Sequence, residues 1–181
     1  MNEDATTPSD ARAERHRLLT YSIGVCAVAA AIVLTGANLY FGDLNQDEGW
    51  YLYAAGLVHE GKVPYRDFAY TQGPVMAYAY SLVHPVFGDL GVAGGRLFTG
   101  SLGLAAAFCA AWLAFRIGPR GREFAAAALA FMLAAVNVYQ SYFCTIVKTY
   151  SLCAFLTALG FICLSFVGSG AGFRSDAPGS R

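Results

Sequence analysis

Two carboxylates stand side by side shortly after the first long apolar run of the chain. Asp47 and Glu48 lie in the stretch DLNQDEGWYLY, a few residues beyond the apolar run 18–41. A carboxylate at the edge of a membrane, partly shielded from water, can accept a proton from an incoming hydroxyl or amine. A structural interpretation is also open, since an aspartate ahead of a helix is a good N-cap and Glu48 in the first turn favours the helix dipole. The chemical and the structural interpretations are compatible, because an N-cap also fixes a side chain in position.

Other polar residues that could do chemistry are few. Asp67 either pairs with its neighbour Arg66 or belongs to the same site as Asp47. No histidine has a partner at metal-ligand spacing, so surface or interfacial roles are expected for His16, His59 and His84. The cysteines lie in or beside apolar runs without C-x-x-C spacing, which indicates small buried thiols rather than a disulfide or metal site.

The composition is that of an integral membrane protein. Hydrophobic residues make up 56% and charged residues 13% of the 181-residue chain, and the mean hydropathy is +0.46. These three figures are far from those of a soluble domain. The net charge is zero, so no basic face suggests a nucleic-acid partner.

Four apolar runs are long enough to cross a hydrocarbon core of about 30 Å, which needs about 20 helical residues. The sequence therefore predicts an all-α membrane protein with spans at 18–41, 97–115, 124–143 and 149–167. The first run is longer than the cleavable core of a signal peptide and is interpreted as a retained anchor. Gly103, Ala107 and Ala111 form a small-residue stripe for close helix packing in the second span.

Charge placement predicts the orientation of these spans. With four spans, one side carries eight Lys and Arg residues against four on the other. The eight are Arg12, Arg15, Arg17, Arg116, Arg120, Arg122, Arg174 and Arg181. The four are Lys62, Arg66, Arg96 and Lys148. The richer side is expected to be cytoplasmic, which places both termini there, with tails at 1–17 and 169–181 flanking a membrane region at 18–168.

The outer loop, residues 42–95, is the only sizeable polar region of the sequence. Aromatic and apolar residues recur at helical spacing after the acidic pair, which predicts a short helix. Gly61 is suited to end this helix at its C-terminus. Pro74 suits the first turn of a second helix at 75–87, which is too short to span. The loop is thus predicted to hold two interfacial helices joined by the extended link VPYRDFAYTQG.

The order of features over residues 47–96 resembles the first outer loop of membrane glycosyltransferases of the GT-C architecture, which include lipid-phosphate-sugar-dependent mannosyl- and arabinosyltransferases. An acidic pair follows the first span, and an aromatic-rich helix ends in a glycine ahead of Pro-Tyr-x-Asp. A proline then opens an apolar helix ending in Phe-Gly, and Arg96 starts the second span. The broader resemblance extends over residues 18–168.

This resemblance implies transfer of a sugar from a polyprenyl-phosphate carrier to an acceptor outside the cytoplasm, at the cell membrane. Asp47 would be the general base and Glu48 its neighbour in the site. The leaving phosphate would need a divalent metal or the outer cations Arg66, Lys62 and Lys148. Lys148 has a second interpretation, in which its ammonium simply extends to the lipid headgroups.

Relatives of that architecture have more spans, so the chain is expected to correspond to their N-terminal part, or to a half that assembles with a partner chain. Without such a partner, these 181 residues are expected not to transfer sugar. A non-catalytic scaffold or accessory subunit is the alternative. A transporter is disfavoured, because the spans carry no charged residue except near their ends.

Overall fold

The computed structural model describes residues 8–170, and all the elements named in that range are helices, without a strand. The predicted all-α class is confirmed. In chain order the elements are α1 (Pro8–Phe41), α2 (Gln46–His59), α3 (Val75–Phe87), a 3₁₀ turn (Gly88–Leu90), α4 (Gly91–Ile117), α5 (Glu123–Ala135), α6 (Val138–Phe143) and α7 (Thr149–Gly170). Arg174, Arg181 and most of the predicted C-terminal tail lie outside the described residues.

Within residues 8–170, three helical segments are long and apolar enough to cross a membrane: Glu14–Phe41, Gly88–Ile117 and Thr149–Val167. They correspond to the first, second and fourth predicted spans and are compatible with a membrane protein. α1 begins at Pro8, so residues 8–17 of the predicted N-terminal tail are continuous with the first helix.

The third predicted span, 124–143, is not one helix, and the count of four spans is not confirmed. α5 ends at Ala135 after 13 residues, which is about 20 Å of helix and short of a hydrocarbon core. The backbone leaves the helical region at Val136, and Asn137 then caps α6 by accepting hydrogen bonds from the N–H groups of Tyr139 at 2.9 Å and Gln140 at 3.3 Å. The asparagine thus competes with continuation of the helix.

The two pieces nevertheless carry the chain from one end of the bundle to the other. At the start of α5, Phe124 packs its ring 5.0 Å from that of Tyr21 in α1. Beyond α6, the backbone N–H of Val147 reaches Glu48 near the start of α2. Residues 145–148 and the first turn of α7 therefore lie at the same end as α2 and α3.

Small side chains let the helices of the bundle approach closely. α4 packs along both α5 and α7, and α1 packs along α5. A buried cluster from three helices joins them: Ala27, Ala31, Ala107, Phe131 and Ala135. Gly103 is part of the same arrangement, since a Cβ atom there would lie 2.7 Å from Cβ of Cys144. The predicted small-residue stripe therefore lies at helix contacts.

α2 and α3 form a hairpin that covers the start of α4 and the turn before α7. Its core is made of aromatic and small residues from the hairpin together with two residues near that turn: Tyr51, Ala54, Ala55, Tyr70, Met76, Ala77, Tyr80, Val147 and Leu152. Both helices predicted in the loop are present, and the second has the expected bounds. The hairpin brings the acidic pair to the end of the bundle.

Candidate functional site

The first turn of α2 is fixed by a capping box. Asn45, in extended conformation, accepts a hydrogen bond on its side-chain oxygen from the N–H of Asp47 at 3.1 Å. In return, the carboxylate of Glu48 accepts a hydrogen bond from the N–H of Asn45 at 3.0 Å. The prediction that Asp47 is the N-cap is therefore wrong: Asn45 satisfies the free N–H groups, and the carboxylate of Asp47 is left for other contacts.

Glu48 is fully buried and is bound on both oxygens by Arg96. Nε of Arg96 donates to Oε2 and Nη2 donates to Oε1, each at 2.7 Å. The guanidinium also donates to the carbonyls of Gly42 at 2.9 Å and Asp43 at 2.6 Å. Such a bidentate pair ties the start of α2 to α4 and to the end of α1.

The surroundings of Glu48 keep its carboxyl ionised. Burial by itself would raise its pKa, but hydrogen bonds from Arg96 and from the N–H groups of Asn45 and Val147 outweigh burial, so the pKa is lowered. With both oxygens occupied in this way, Glu48 holds the first turn of α2 in place.

The side chain of Asp47 lies in a different environment, beside Lys148, which is distant from it in the sequence. Oδ2 of Asp47 lies 2.9 Å from Nζ of Lys148, and the side chains are 47% and 20% exposed. The hydrogen bond to Asp47 raises the pKa of Lys148. The pKa of Tyr51, one turn along α2, is raised by burial and then by the charge of Asp47. A carboxylate, an ammonium and a phenol thus share a partly open position at the end of the bundle.

The remaining predicted site residues form a second group in the link between α2 and α3. Arg66 donates from Nε and Nη2 to the two oxygens of Asp67 at 2.9 and 2.8 Å, which is the expected ion pair. This contact, helped by the N–H of Val63, lowers the pKa of Asp67 to about 2. Lys62 pairs with Glu60 at 3.4 Å. Within the described residues, no hydrogen bond or salt bridge joins this group to Asp47 or Lys148.

Aromatic rings from α2 and from the link between α2 and α3 pack against one another. The indole of Trp50 stacks on the ring of Tyr70, with centroids 5.0 Å apart and planes 19° from parallel. Tyr65 and Phe68 lie against the same tyrosine at 6.1 and 6.2 Å. The sequence indicated an aromatic-rich helix but not this stacking between α2 and the link.

The donor atoms of the described residues do not fit the divalent metal that the resemblance allows. No group of three or more His, Cys, Asp or Glu side chains lies together in residues 8–170. Asp47 faces an ammonium and Glu48 faces a guanidinium, which is not a set of free oxygen ligands. His59 and His84 do meet, but as rings stacked 5.0 Å apart. No catalytic step is therefore assigned to a metal.

Two residues of the site have roles that the sequence interpretation did not give them. The sequence indicates Arg96 only as an outer cation at the start of a span, although an arginine within an apolar helix usually faces the interior and has a partner there. N-cap preference alone does not distinguish Asn45 from Asp47, because both residue types are favoured at that position. The pattern Asn-x-x-Glu is itself a capping-box signal, which would have separated the two.

Comparisons with protein-family models, with curated proteins and with solved structures gave no match. The site must therefore be interpreted from its own chemistry, and the glycosyltransferase resemblance stays a hypothesis.

Proposed function

We propose that the protein is a membrane glycosyltransferase, which transfers a sugar from a polyprenyl-phosphate carrier to an acceptor hydroxyl or amine on the outer side of the membrane. The observation that carries this proposal is the pairing of Asp47 with Lys148 at 2.9 Å, at the end of the apolar bundle. A base and a phosphate-binding cation are the two groups that such a transfer requires.

The place of the site suits a donor with a lipid tail. A polyprenyl chain can lie among the apolar helices while its phosphate-sugar bond reaches the end of the bundle. Lys148 follows α6 and directly precedes α7, and Asp47 lies in the first turn of α2. The donor would thus approach along helices that lead directly to both side chains.

The chemistry assigns one step to each member of the pair. The acceptor oxygen or nitrogen attacks the anomeric carbon of the donor sugar, and the bond from that carbon to the phosphate oxygen breaks. The phosphate leaves with the bonding electrons, and its charge is balanced by the ammonium of Lys148. The carboxylate of Asp47 takes the proton of the acceptor. Glu48 and Arg96 hold the first turn of α2, so the carboxylate does not have to be ordered during the reaction.

Replacement of Asp47 by Asn tests the role of the base. The amide keeps the size of the side chain but cannot take the proton, so transfer should fall on the order of a hundredfold or more. The change is introduced into the encoding gene, and membranes of those cells are incubated with a radiolabelled polyprenyl-phosphate-sugar pool. Asp43→Asn is the matched control, because Asp43 has an exposed side chain four residues earlier. Transfer that is equal in both variants would remove Asp47 from catalysis.

A non-catalytic scaffold is the second candidate, and one observation favours it. The acidic residues at the start of α2 are both paired, Asp47 with Lys148 and Glu48 with Arg96, as they would be in a purely structural joint. A scaffold predicts that Asp47→Asn leaves transfer unchanged, while Lys148→Gln and Asp47→Asn loosen the contact between α2 and α7 equally. Limited proteolysis of the link between α2 and α3 reports that contact.

A further inference from the structure

We propose that Trp50, Tyr65 and Tyr70 form a binding surface for the acceptor, and that this acceptor is a carbohydrate. These three residues are called the aromatic platform below. The choice of ligand rests on the proposed function, but the surface itself is argued from contacts in the hairpin. Sugars present flat C–H faces that pack on aromatic rings, while their hydroxyls bond to polar groups at the edge of such rings.

The platform is built from α2 and from the link, so its shape depends on both. Trp50 stacks on Tyr70 at 5.0 Å, while 36% of its surface stays exposed. Tyr65 is 59% exposed and lies 6.1 Å from Tyr70. Two accessible rings thus flank a tyrosine that is 95% buried, since only 5% of Tyr70 is exposed.

The buried tyrosine has a hydroxyl group without a partner. Among the described residues, the Tyr70 hydroxyl is the buried side-chain polar atom that makes no hydrogen bond. Burial raises its pKa to about 12, so the group stays a neutral donor. A buried hydroxyl without a partner is costly, and most such groups in proteins are satisfied. Because this hydroxyl is closed off from solvent, a ligand hydroxyl would satisfy it by entering between the rings of the platform.

Tyr65 is held in a backbone conformation that a bulky residue rarely adopts. Its φ is +66°, and it is the one described residue other than glycine with a positive φ. The conformation is kept by a hydrogen bond from its N–H to the carbonyl of Phe68 at 3.0 Å and by a bond from its hydroxyl to the carbonyl of Gln72. Such conformations cluster at ligand-binding positions, and here the result is an exposed ring beside Trp50 and Tyr70.

The platform adjoins the proposed base. Trp50 follows Asp47 by three residues on α2, and residues at that spacing are neighbours on one face of a helix. A sugar ring packed against Trp50 would therefore present its hydroxyls to the carboxylate. The platform would bind the acceptor. Lys148 would bind the phosphate of the donor, which approaches along the membrane helices.

The test uses the full chain in lipid nanodiscs, with Trp112 replaced by Phe so that Trp50 is the only tryptophan. Manno-, arabino- and gluco-oligosaccharides are titrated without donor, and the fluorescence of Trp50 is followed. At least one oligosaccharide should produce a saturable change. A chain with Trp50→Phe, which keeps Trp112, is expected to show none.

Tyr70→Phe removes only the unpaired hydroxyl and should weaken binding by about fivefold to tenfold. Tyr21→Phe is the matched control, because that tyrosine packs on Phe124 at the opposite end of the bundle. Circular dichroism and the elution volume of each variant verify that it is folded, so a lost response reports the platform.

Three results would overturn the platform. The first is no saturable change in fluorescence with any of the sugars, and the second is equally weakened binding in Tyr70→Phe and Tyr21→Phe. The third is quenching of Trp50 fluorescence by brominated lipid chains together with protection from aqueous iodide. The last result would make these rings an anchor in the membrane interface. The proposed function and the platform are tested by different results. Sugar binding together with transfer that does not depend on Asp47 would support the platform and reject Asp47 as the base. Transfer that depends on Asp47 without a fluorescence response of Trp50 would support the base and reject the platform.

Discussion

Asp47 and Glu48 are neighbours in sequence with the same charge, yet they lie in opposite environments. Glu48 is completely buried, and both of its oxygens are bound by Arg96. Asp47 is about half exposed and faces Lys148. One residue of the pair therefore holds the helix in place, and the other is accessible for chemistry.

Removal of the buried carboxylate should be much more destabilising than removal of its neighbour. Glu48→Ala leaves the guanidinium of Arg96 buried without a counter-ion, so the free energy of unfolding should fall by about 3–5 kcal/mol. Asp47→Ala, which loses a partly exposed pair, should cost less than about 1 kcal/mol. Denaturant unfolding in detergent micelles measures both. Replacement of Glu48 and Arg96 together by leucine should recover most of the loss, and a Glu48→Ala protein as stable as the wild type would contradict the role of this pair.

The same carboxyl should make the protein sensitive to acid. The pKa of Glu48 is lowered from its ordinary value of 4.5, since burial, which raises it, is outweighed by hydrogen bonds from Arg96 and from two backbone N–H groups. The ionised carboxyl therefore contributes its full stabilisation at pH values above 4.5. This stabilisation is lost as the pH falls through the lowered pKa of the folded state.

Thermal unfolding followed from neutral pH downward should show this loss in the wild type and a flatter profile in Glu48→Gln. Asp67 also titrates at low pH, because Arg66 lowers its pKa to about 2, so Asp67→Asn is examined in parallel. Identical profiles for the wild type and Glu48→Gln would show that another group causes the acid sensitivity.

The helices of the hairpin end where local sequence signals place their ends. α2 stops at His59, and Gly61 follows with a φ of +87°. The N–H of Gly61 bonds to the carbonyl of Val58 at 2.9 Å, and the N–H of Lys62 bonds to that of Leu57 at 3.0 Å, which is a Schellman motif. These signals are contained in a few consecutive residues, and the bounds of α2 and α3 could therefore be predicted closely.

Two glycines of the hairpin should respond in opposite directions to replacement by alanine. Gly61→Ala forces a side chain into the left-handed region and should lower stability by about 1 kcal/mol. Gly49→Ala lies inside α2 with no atom within 4 Å of the new Cβ and should raise stability by up to about 1 kcal/mol. Melting temperatures of the purified variants give the signs. If the two changes had the same sign, the helix end assigned to Gly61 would be wrong.

Contacts between distant elements were not predictable in the same way. The hydrogen bonds between Glu48 and Arg96 join residues 48 positions apart, and nothing in their local sequences links them. The sequence does not reveal the break between α5 and α6, because the strongly apolar residues before Asn137 dominate the average hydropathy of the run 124–143 and one capping residue hardly changes it. The stacking of Trp50 on Tyr70 depends on how the link folds back, which composition does not report.

At the scale of the whole molecule, the charge distribution and the described helices make one prediction about orientation. Lys62 lies just after α2 in the hairpin, and Arg120 lies between α4 and α5 at the opposite end of the bundle. Both side chains are exposed. The positive-inside rule places the arginine-rich end in the cytoplasm and the hairpin outside.

Single cysteines at positions 62 and 120 test this orientation in a chain whose native cysteines have been replaced. An impermeant maleimide should label position 62 in intact cells, whereas position 120 should react only after the membrane is permeabilised. The unlabelled parent without cysteines is the control. The reverse pattern would invert the orientation and place the proposed site in the cytoplasm.

The contacts of Glu48 also have a consequence for the order in which a nascent chain becomes a folded one. Its carboxylate bonds within its own turn to Asn45, then to Arg96, and finally to Val147, which is 99 residues further on. When α2 leaves the ribosome, only the first of these partners exists. The hydrogen bond to Arg96 requires α4, and the hydrogen bond to Val147 requires the segment before α7. Synthesis from the N-terminus therefore makes the partners of Glu48 available in a fixed order: the start of α2 first, α4 second and the segment before α7 third.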